Sequence, residues 1–261
     1  MSKKKQKVKA LVYGGGTFLL LLFLWEITVR MTDSQIPFPT PLAVIERFVD
    51  MLFHNVGYYY TIIGHVLWSL SRVLAGFCIA SALGIVLGLT MGWFSYVRAI
   101  FMPIFNLLRP IAPLAWIPLA ILWFGIGEKY KYFLIFIAAF VPFTLNAYAG
   151  ATHVDKQLVG AAKMLGANKA QVFFEIVVPA AIPSIFSGAQ VALSNSWMTM
   201  LAAEMVCATE GIGWIIIAGQ AVNDMTQMIA GMLAIGIVGF LLANGMRILE
   251  RRCLVWNNQG N

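Results

Sequence analysis

The groups in this chain that could do chemistry are few, and most are isolated. His54, His65 and His153 show no ligand spacing, and Cys78, Cys207 and Cys253 form no CxxC pair. Neither a zinc site nor a disulfide framework follows. No HExxH and no close aspartate pair is present, so a membrane-embedded hydrolase has nothing to work with. The Gly14-Gly15-Gly16 run is followed by Thr17-Phe18-Leu19 and lacks the lysine of a phosphate loop; no GxxxxGK[ST] occurs anywhere. What remains is a set of polar groups inside otherwise apolar runs, and these face protein or a wet cavity because lipid cannot solvate them. Arg109 precedes a proline-broken stretch, which can bare carbonyls beside a passage; it either lines that passage or packs against a carboxylate. Arg72 suits a structural ion pair. Glu204 lies toward the outer third of its run and either pairs with an arginine or helps gate the outer mouth. Asn146, Ser194, Asn195 and Ser196 can line a passage or hydrogen-bond between helices.

The elements that must position these groups follow from composition. Of 261 residues, 60% are apolar and 11% charged, against about 25% charged in a soluble domain. The mean hydropathy is +0.81. Several apolar stretches approach the ~20 residues that cross a bilayer, so the chain is an integral, all-α membrane protein forming a single domain over 1–261. Spans are expected near Leu11–Val29, Thr61–Met91, Ala99–Phe124, Tyr132–Tyr148, Ile182–Cys207 and Met228–Ile248. No small-x-small cleavage site follows the first run before Arg30, which makes it a retained helix rather than a signal peptide. Pro103, Pro110, Pro113 and Pro118 interrupt the third. In the second, Gly76, Ala80, Gly84, Gly88 and Gly92 set a small residue at every fourth position, a face that lets another helix approach closely. The prolines of Ile36-Pro37-Phe38-Pro39-Thr40-Pro41 end the first outside turn, and Leu42–Phe53 reads as a short helix at the outer interface.

The formal charge of +7 sits at the edges of apolar runs rather than in a stripe, which argues for membrane topology and against nucleic acid. With six spans, one side holds Lys3, Lys4, Lys5, Lys7, Lys9, Arg98, Lys156, Lys163, Lys169, Arg247, Arg251 and Arg252. The other keeps Arg30, Arg47, Lys129 and Lys131. The positive-inside rule then places both termini and the 150–181 loop in the cytoplasm. Five or seven spans would split the two basic ends.

That loop is too polar to span and too patterned to be a linker. Asp155 can cap a helix whose Leu158, Ala161, Ala162 and Leu165 fall at i, i+3, i+4 and i+7. Gly166 can end it, and Asn168 can cap a second helix through Phe173–Ile176. Pro179 and Pro183 are expected to close the loop before the fifth span. Such a helix–turn–helix either rests on headgroups or lies in another protein's groove.

Ala161-Ala162, three residues, Gly166, nine residues and Ile176-x-Val178-Pro179 resembles the cytoplasmic-loop pattern of binding-protein-dependent ABC importer permeases, whose form is EAA, three residues, G, nine residues, I-x-L-P. Gly160 stands for the glutamate and Val178 for the leucine. RPIAPLAWIPLAILWFGIGE (Arg109–Glu128), GAQVALSNSWMTMLAAEM (Gly188–Met205) and EGIGWII (Glu210–Ile216) are similar to the nitrate/sulfonate/taurine branch, taurine and alkanesulfonate permeases above all. The likeness spans about residues 15–252. Gln190 departs from it, standing where this branch commonly carries an arginine.

The resemblance implies a type I importer permease with about six transmembrane helices, resident in the bacterial plasma membrane. Gly160, Ala161, Ala162, Leu165, Gly166 and Ala167 would dock and couple two ATPase subunits, which bind ATP and Mg; this chain carries no cofactor and no metal. A second, identical permease subunit and an extracytoplasmic solute-binding protein complete the implied assembly. Arg109, Asn146, Gln190, Ser194, Asn195 and Glu204 are its candidate pathway or gate residues. The solute implied is a small sulfonate such as taurine, with nitrate, bicarbonate or a vitamin precursor as alternatives. A stand-alone channel or secondary transporter is the competing class, but no internal repeat supports it.

The topology is directly testable. Lys156→Cys or Arg251→Cys should stay unlabelled above the parent chain when intact cells meet an impermeant thiol reagent, whereas Gln35→Cys and Lys129→Cys should react. Labelling at 156 from outside defeats the six-span arrangement.

Overall fold

The computed structural model describes residues 3–31, 38–57 and 59–254, with side chains from Tyr13 onward except Phe18. The Ile36-Pro37 start of the proline turn lies outside the described residues. Eleven helices follow one another among them: α1 (Lys3–Met31), α2 (Pro41–Phe53), α3 (Ile62–Trp93), α4 (Ser95–Leu108), α5 (Ile117–Phe124), α6 (Lys129–Thr152), α7 (Lys156–Met164), α8 (Lys169–Gln171), α9 (Val178–Cys207), α10 (Ile212–Ala221) and α11 (Met225–Cys253). Five stretches are long and apolar enough to cross a membrane, six when α4 and α5 count as one broken span.

Two expected segments are built differently. The third span is not one helix: α4 stops at Leu108, and a 3₁₀ turn over Pro113–Trp116 leads into α5 at 88° to it. Pro110 and Pro113 bring no N–H to carry the ladder across. Ala112, held ahead of a proline ring, is extended at φ −60°, ψ 135°. The fifth span departs the other way. Pro179 and Pro183 do not close a loop; the helix starting at Lys169 runs on through both to Cys207. A π turn over Val172–Val177 absorbs the first proline, with the Val178 N–H donating five residues back to Phe173 O. Such a widened turn re-registers the ladder where a proline would otherwise collide with the carbonyl four residues back.

The chain divides into two compact units, Met1–Ile63 with Ile215–Ala234, and Gly64–Trp214 with Ile235–Asn261. In the first, Thr40 caps α2 by accepting from the Ala43 N–H, and Pro41 sits at a helix start where its missing N–H costs nothing. Val44 and Met51 are the buried side of α2. Arg47 donates to Asp50 at 2.7 Å and to Gln227 Oε1 at 3.0 Å, and Gln227 Nε2 donates to Ile215 O at 3.2 Å. These bonds tie α2 to the facing ends of α10 and α11.

In the second unit α6 is the centre, with α3 against one side and α9 against another. The small-residue face of α3 meets α6 as expected. A Cβ on Gly76 would stand 2.5 Å from Ile135 Cγ2, one on Gly84 2.8 Å from Phe143 Cβ, and one on Gly88 would collide with Thr144 O. On the other side Gly188 of α9 presses on Asn146, and Gly150 of α6 on Ala181. Ala80, Ala139, Phe143 and Ala192 form the buried centre of this three-helix contact. Where lipid supplies no hydrophobic drive between helices, such closeness carries the packing.

Gly88→Ala should therefore lower the thermal stability of the detergent-purified protein by about 1–3 kcal/mol, because backbone cannot move aside for the added methyl. Gly15→Ala in α1, where a Cβ meets nothing within 4 Å, should leave it unchanged or slightly higher. Equal melting curves for parent and Gly88→Ala would refute the close α3–α6 contact.

Candidate functional site

Arg72 is fully buried on α3 and spends its guanidinium on three carboxylates. Nε and Nη2 take both oxygens of Glu128, at 2.5 and 2.9 Å; Nη1 reaches Glu204 at 2.9 Å; Nη2 also reaches Glu210 at 2.9 Å. The Trp68 ring lies 5.5 Å from its central carbon. Glu204 is sealed from solvent and accepts further bonds from Ser69 Oγ, at 2.8 Å, and from the Gly213 N–H, at 2.9 Å. Ser69 Oγ in turn accepts from Ile212 N, and His65 Nδ1 accepts from Gly211 N. Gly211, at φ +112°, carries the chain past Glu204 where any side chain would overlap the carboxylate. Lys131 closes the group by donating to Glu128 at 2.7 Å. Partial burial of Glu128 pushes its carboxyl up, but the bonds and charges of Arg72 and Lys131 outweigh that and hold it below the usual carboxylate range.

Of the alternatives weighed from sequence, Arg72 thus takes the structural pairing, and Glu204 takes the arginine. Glu128, Glu210 and Lys131 were not singled out as chemistry. The signal available was that the two glycine-rich motifs FGIGE and EGIGW each carry a glutamate at one end.

A different set of groups surrounds a cavity of ≈ 520 Å³ bounded by α4, the 109–116 bend, α6 and α9. Arg109, Asn106, Asn146 and Asn195 supply its polar wall, and Met102 and Trp116 part of the apolar one. Arg109 is exposed, and among the described residues no carboxylate pairs with it. The bend creates this: it stops α4 one residue before Arg109 and swings the chain away, leaving the guanidinium at the cavity edge. Asn146 Nδ2 donates to Pro142 O at 2.9 Å, keeping its own carbonyl free. Gln190 and Ser194 lie elsewhere, Gln190 on two adjoining cavities between α9 and α11 and Ser194 on the first of them.

The 150–181 loop has the caps its sequence announced. Asp155 accepts from the Gln157 N–H at 2.8 Å. Asn168 and Gln171 form a reciprocal capping box. Gly166 takes φ +87° between the two helices. Gly160, Ala161 and Ala162 lie in α7 and Ala167 just past the turn, and the ridge has little cover: Leu158 and Leu165 are exposed, Leu165 at 89%, with Met164 exposed beside it. The second arm is anchored instead. Phe173 meets Trp93 at 5.4 Å, and Val177 packs with Leu89, Ala147 and Ala181.

Residues 80–254 match the family of binding-protein-dependent transport system inner membrane components. This chain belongs to that family. The permease is 35% identical to the taurine transport system permease protein TauC of Escherichia coli over 94% of its own length and 89% of that protein. It is 34% identical to the nitrate import permease protein NrtB of Synechocystis over 88% and 85%. A chain of the MetNI methionine ABC transporter in an inward-facing conformation superposes with a TM-score of 0.63 at 16% identity, covering 73% of the permease and 95% of that chain. That likeness fixes the fold as the type I importer kind. The permease is thus a multi-pass membrane subunit of an ABC importer.

The Arg72 cluster predicts an asymmetric mutational pattern. Arg72→Met strands Glu204, which is 0% exposed, and should cost about 3–5 kcal/mol, seen as loss of the monodisperse complex in size-exclusion chromatography. Adding Glu204→Gln should recover much of it, because Glu128 and Glu210, at 44% and 26% exposed, reach water by themselves. A double variant as unstable as Arg72→Met would show that the ion pair is not what the cluster depends on.

Proposed function

We propose that the permease forms, with a second copy of itself, the translocation pathway for a small sulfonate such as taurine. Two ATPase subunits dock on the exposed 150–181 turn, and an extracytoplasmic binding protein delivers the solute. The observation that carries the solute class is the cavity at the bend: an unpaired guanidinium, Arg109, beside the amides of Asn146 and Asn195. One fixed cation suits an anionic headgroup of a few oxygens, and Arg offers it paired N–H groups. The names of the taurine and nitrate relatives point to the same chemistry. Nitrate and bicarbonate fit the same wall, so a competition series ranks them.

The mechanism is alternating access. ATP closes the ATPase pair, the docked turns move with it, and the two membrane subunits rock so that the passage opens to one side and then the other. Leu165 is the anchor, a large apolar side chain held almost wholly in solvent beside a turn that only glycine enters without strain. The charge distribution supports a cytoplasmic position for both termini and this turn, on the side where ATP is.

One experiment separates the parts. In reconstituted vesicles, Leu165→Asp and Gly166→Val should abolish uptake and uncouple or lose the ATPase while the permease still inserts. Arg109→Ala should reduce uptake of taurine at least tenfold while ATPase remains bound. Full solute-stimulated hydrolysis in both turn variants defeats the docking assignment; unchanged taurine uptake in Arg109→Ala defeats the cavity.

A further inference from the structure

α9 and α11 face each other across a hollow seam. On α11, Gly239, Leu242, Ala243 and Met246 share a face by helical spacing; on α9, Gln190, Ser194 and Trp197 do. A cavity of ≈ 390 Å³ lies between them, walled by Leu193, Trp197, Met198, Leu242 and Met246. Gln190 and Arg247 line it and also line a second, more polar cavity of ≈ 630 Å³, to which Ser187, Glu250 and Arg251 contribute. The two are halves of one groove, apolar at one end and charged at the other.

The charged half is cationic in balance. Glu250 is engaged, accepting from Gln190 Nε2 at 2.6 Å, while Arg247 and Arg251 are exposed and, among the described residues, have no carboxylate partner. The apolar half holds an unspent donor: Trp197 is 6% exposed, yet its indole N–H has no hydrogen-bond partner. On α11 the groove's wall is flanked by exposed Ile237, Phe240, Leu241, Ile248 and Leu249, side chains that face hydrocarbon in a membrane protein. A water-soluble solute would reach the apolar half only across that hydrocarbon, whereas a lipid chain is already there.

We propose that this groove binds an anionic phospholipid, its phosphate on Arg247 and Arg251 and one acyl chain in the seam between α9 and α11. Basic pockets between transmembrane helices at the cytoplasmic end are where acidic headgroups settle, and the charge distribution puts this end of α11 in the cytoplasm. An amphiphile matches both halves at once. Ala243, exposed on the groove wall, gives the chain its room, and Trp197, whose indole lies against Gly239, offers its N–H to an ester carbonyl.

The test is native mass spectrometry of the assembled importer, exchanged into nanodiscs holding equal phosphatidylglycerol and phosphatidylcholine. The parent complex should retain phosphatidylglycerol in preference. Arg247→Gln and Arg251→Gln should each lower that preference about fivefold, and Ala243→Phe should abolish retention by filling the seam with no change of charge. Arg252→Gln, adjacent in sequence but outside the groove, should leave it unchanged. Equal retention of both lipids by the parent, or an equal loss in Arg252→Gln, overturns the proposal. Displacement of the lipid by millimolar inorganic phosphate would make this a free-anion site, and a disulfide between two Ser194→Cys chains would put a second copy in the seam; either result also overturns it.

Discussion

Three distant segments of the second unit are tied to one fully buried cation. Arg72 sits on an apolar helix where an unpaired guanidinium could not remain, so three carboxylates from distant parts of the chain must come to it. Each brings a segment with it: Glu128 the loop before α6, Glu204 the end of α9, Glu210 the loop before α10. The desolvation cost of the cation is offset only when all of these are in place, which makes the cluster an all-or-none device. A buried charge is poor glue, but it rejects wrong arrangements strongly.

Close packing does the complementary work. The glycine face of α3 and the paired small contacts of α6 and α9 bring backbones near enough for dispersion to hold them. The prolines serve the opposite purpose. At Pro110 and Pro113 they break a span and free a basic side chain at a cavity. At Pro179 a π turn lets the helix survive, so the same residue type ends one element and merely bends the register of another.

What could be read from the sequence is what depends on near neighbours or on bulk composition. The apolar runs, the glycine face, the Asp155 and Asn168 caps and the turn at Gly166 are local, and each appears where its residues place it. The partners of Arg72 could not be read: 56 residues separate it from Glu128 and 132 from Glu204, and no periodicity relates them. Continuity through Pro179 was equally hidden, because a proline rule knows the steric clash but not the widened turn that relieves it. Gln190 is a pathway candidate only through the resemblance, which has an arginine there; its bond to Glu250, 60 residues on, and its place on the α11-facing side of α9 follow from packing alone.

The unbroken run from Lys169 to Cys207 has a mechanical meaning. At about 1.5 Å per residue it is a rod of roughly 60 Å, twice the about 30 Å hydrocarbon thickness. One tip adjoins the glycine turn at 166, and the other ends three residues past Glu204. A stiff rod longer than its bearing does not damp a push. A continuous helix thus joins the glycine turn at one tip to the neighbourhood of the Glu204 carboxylate at the other. Between the two, the π turn and the N–H missing at Pro183 are places where the helix can take up axial strain.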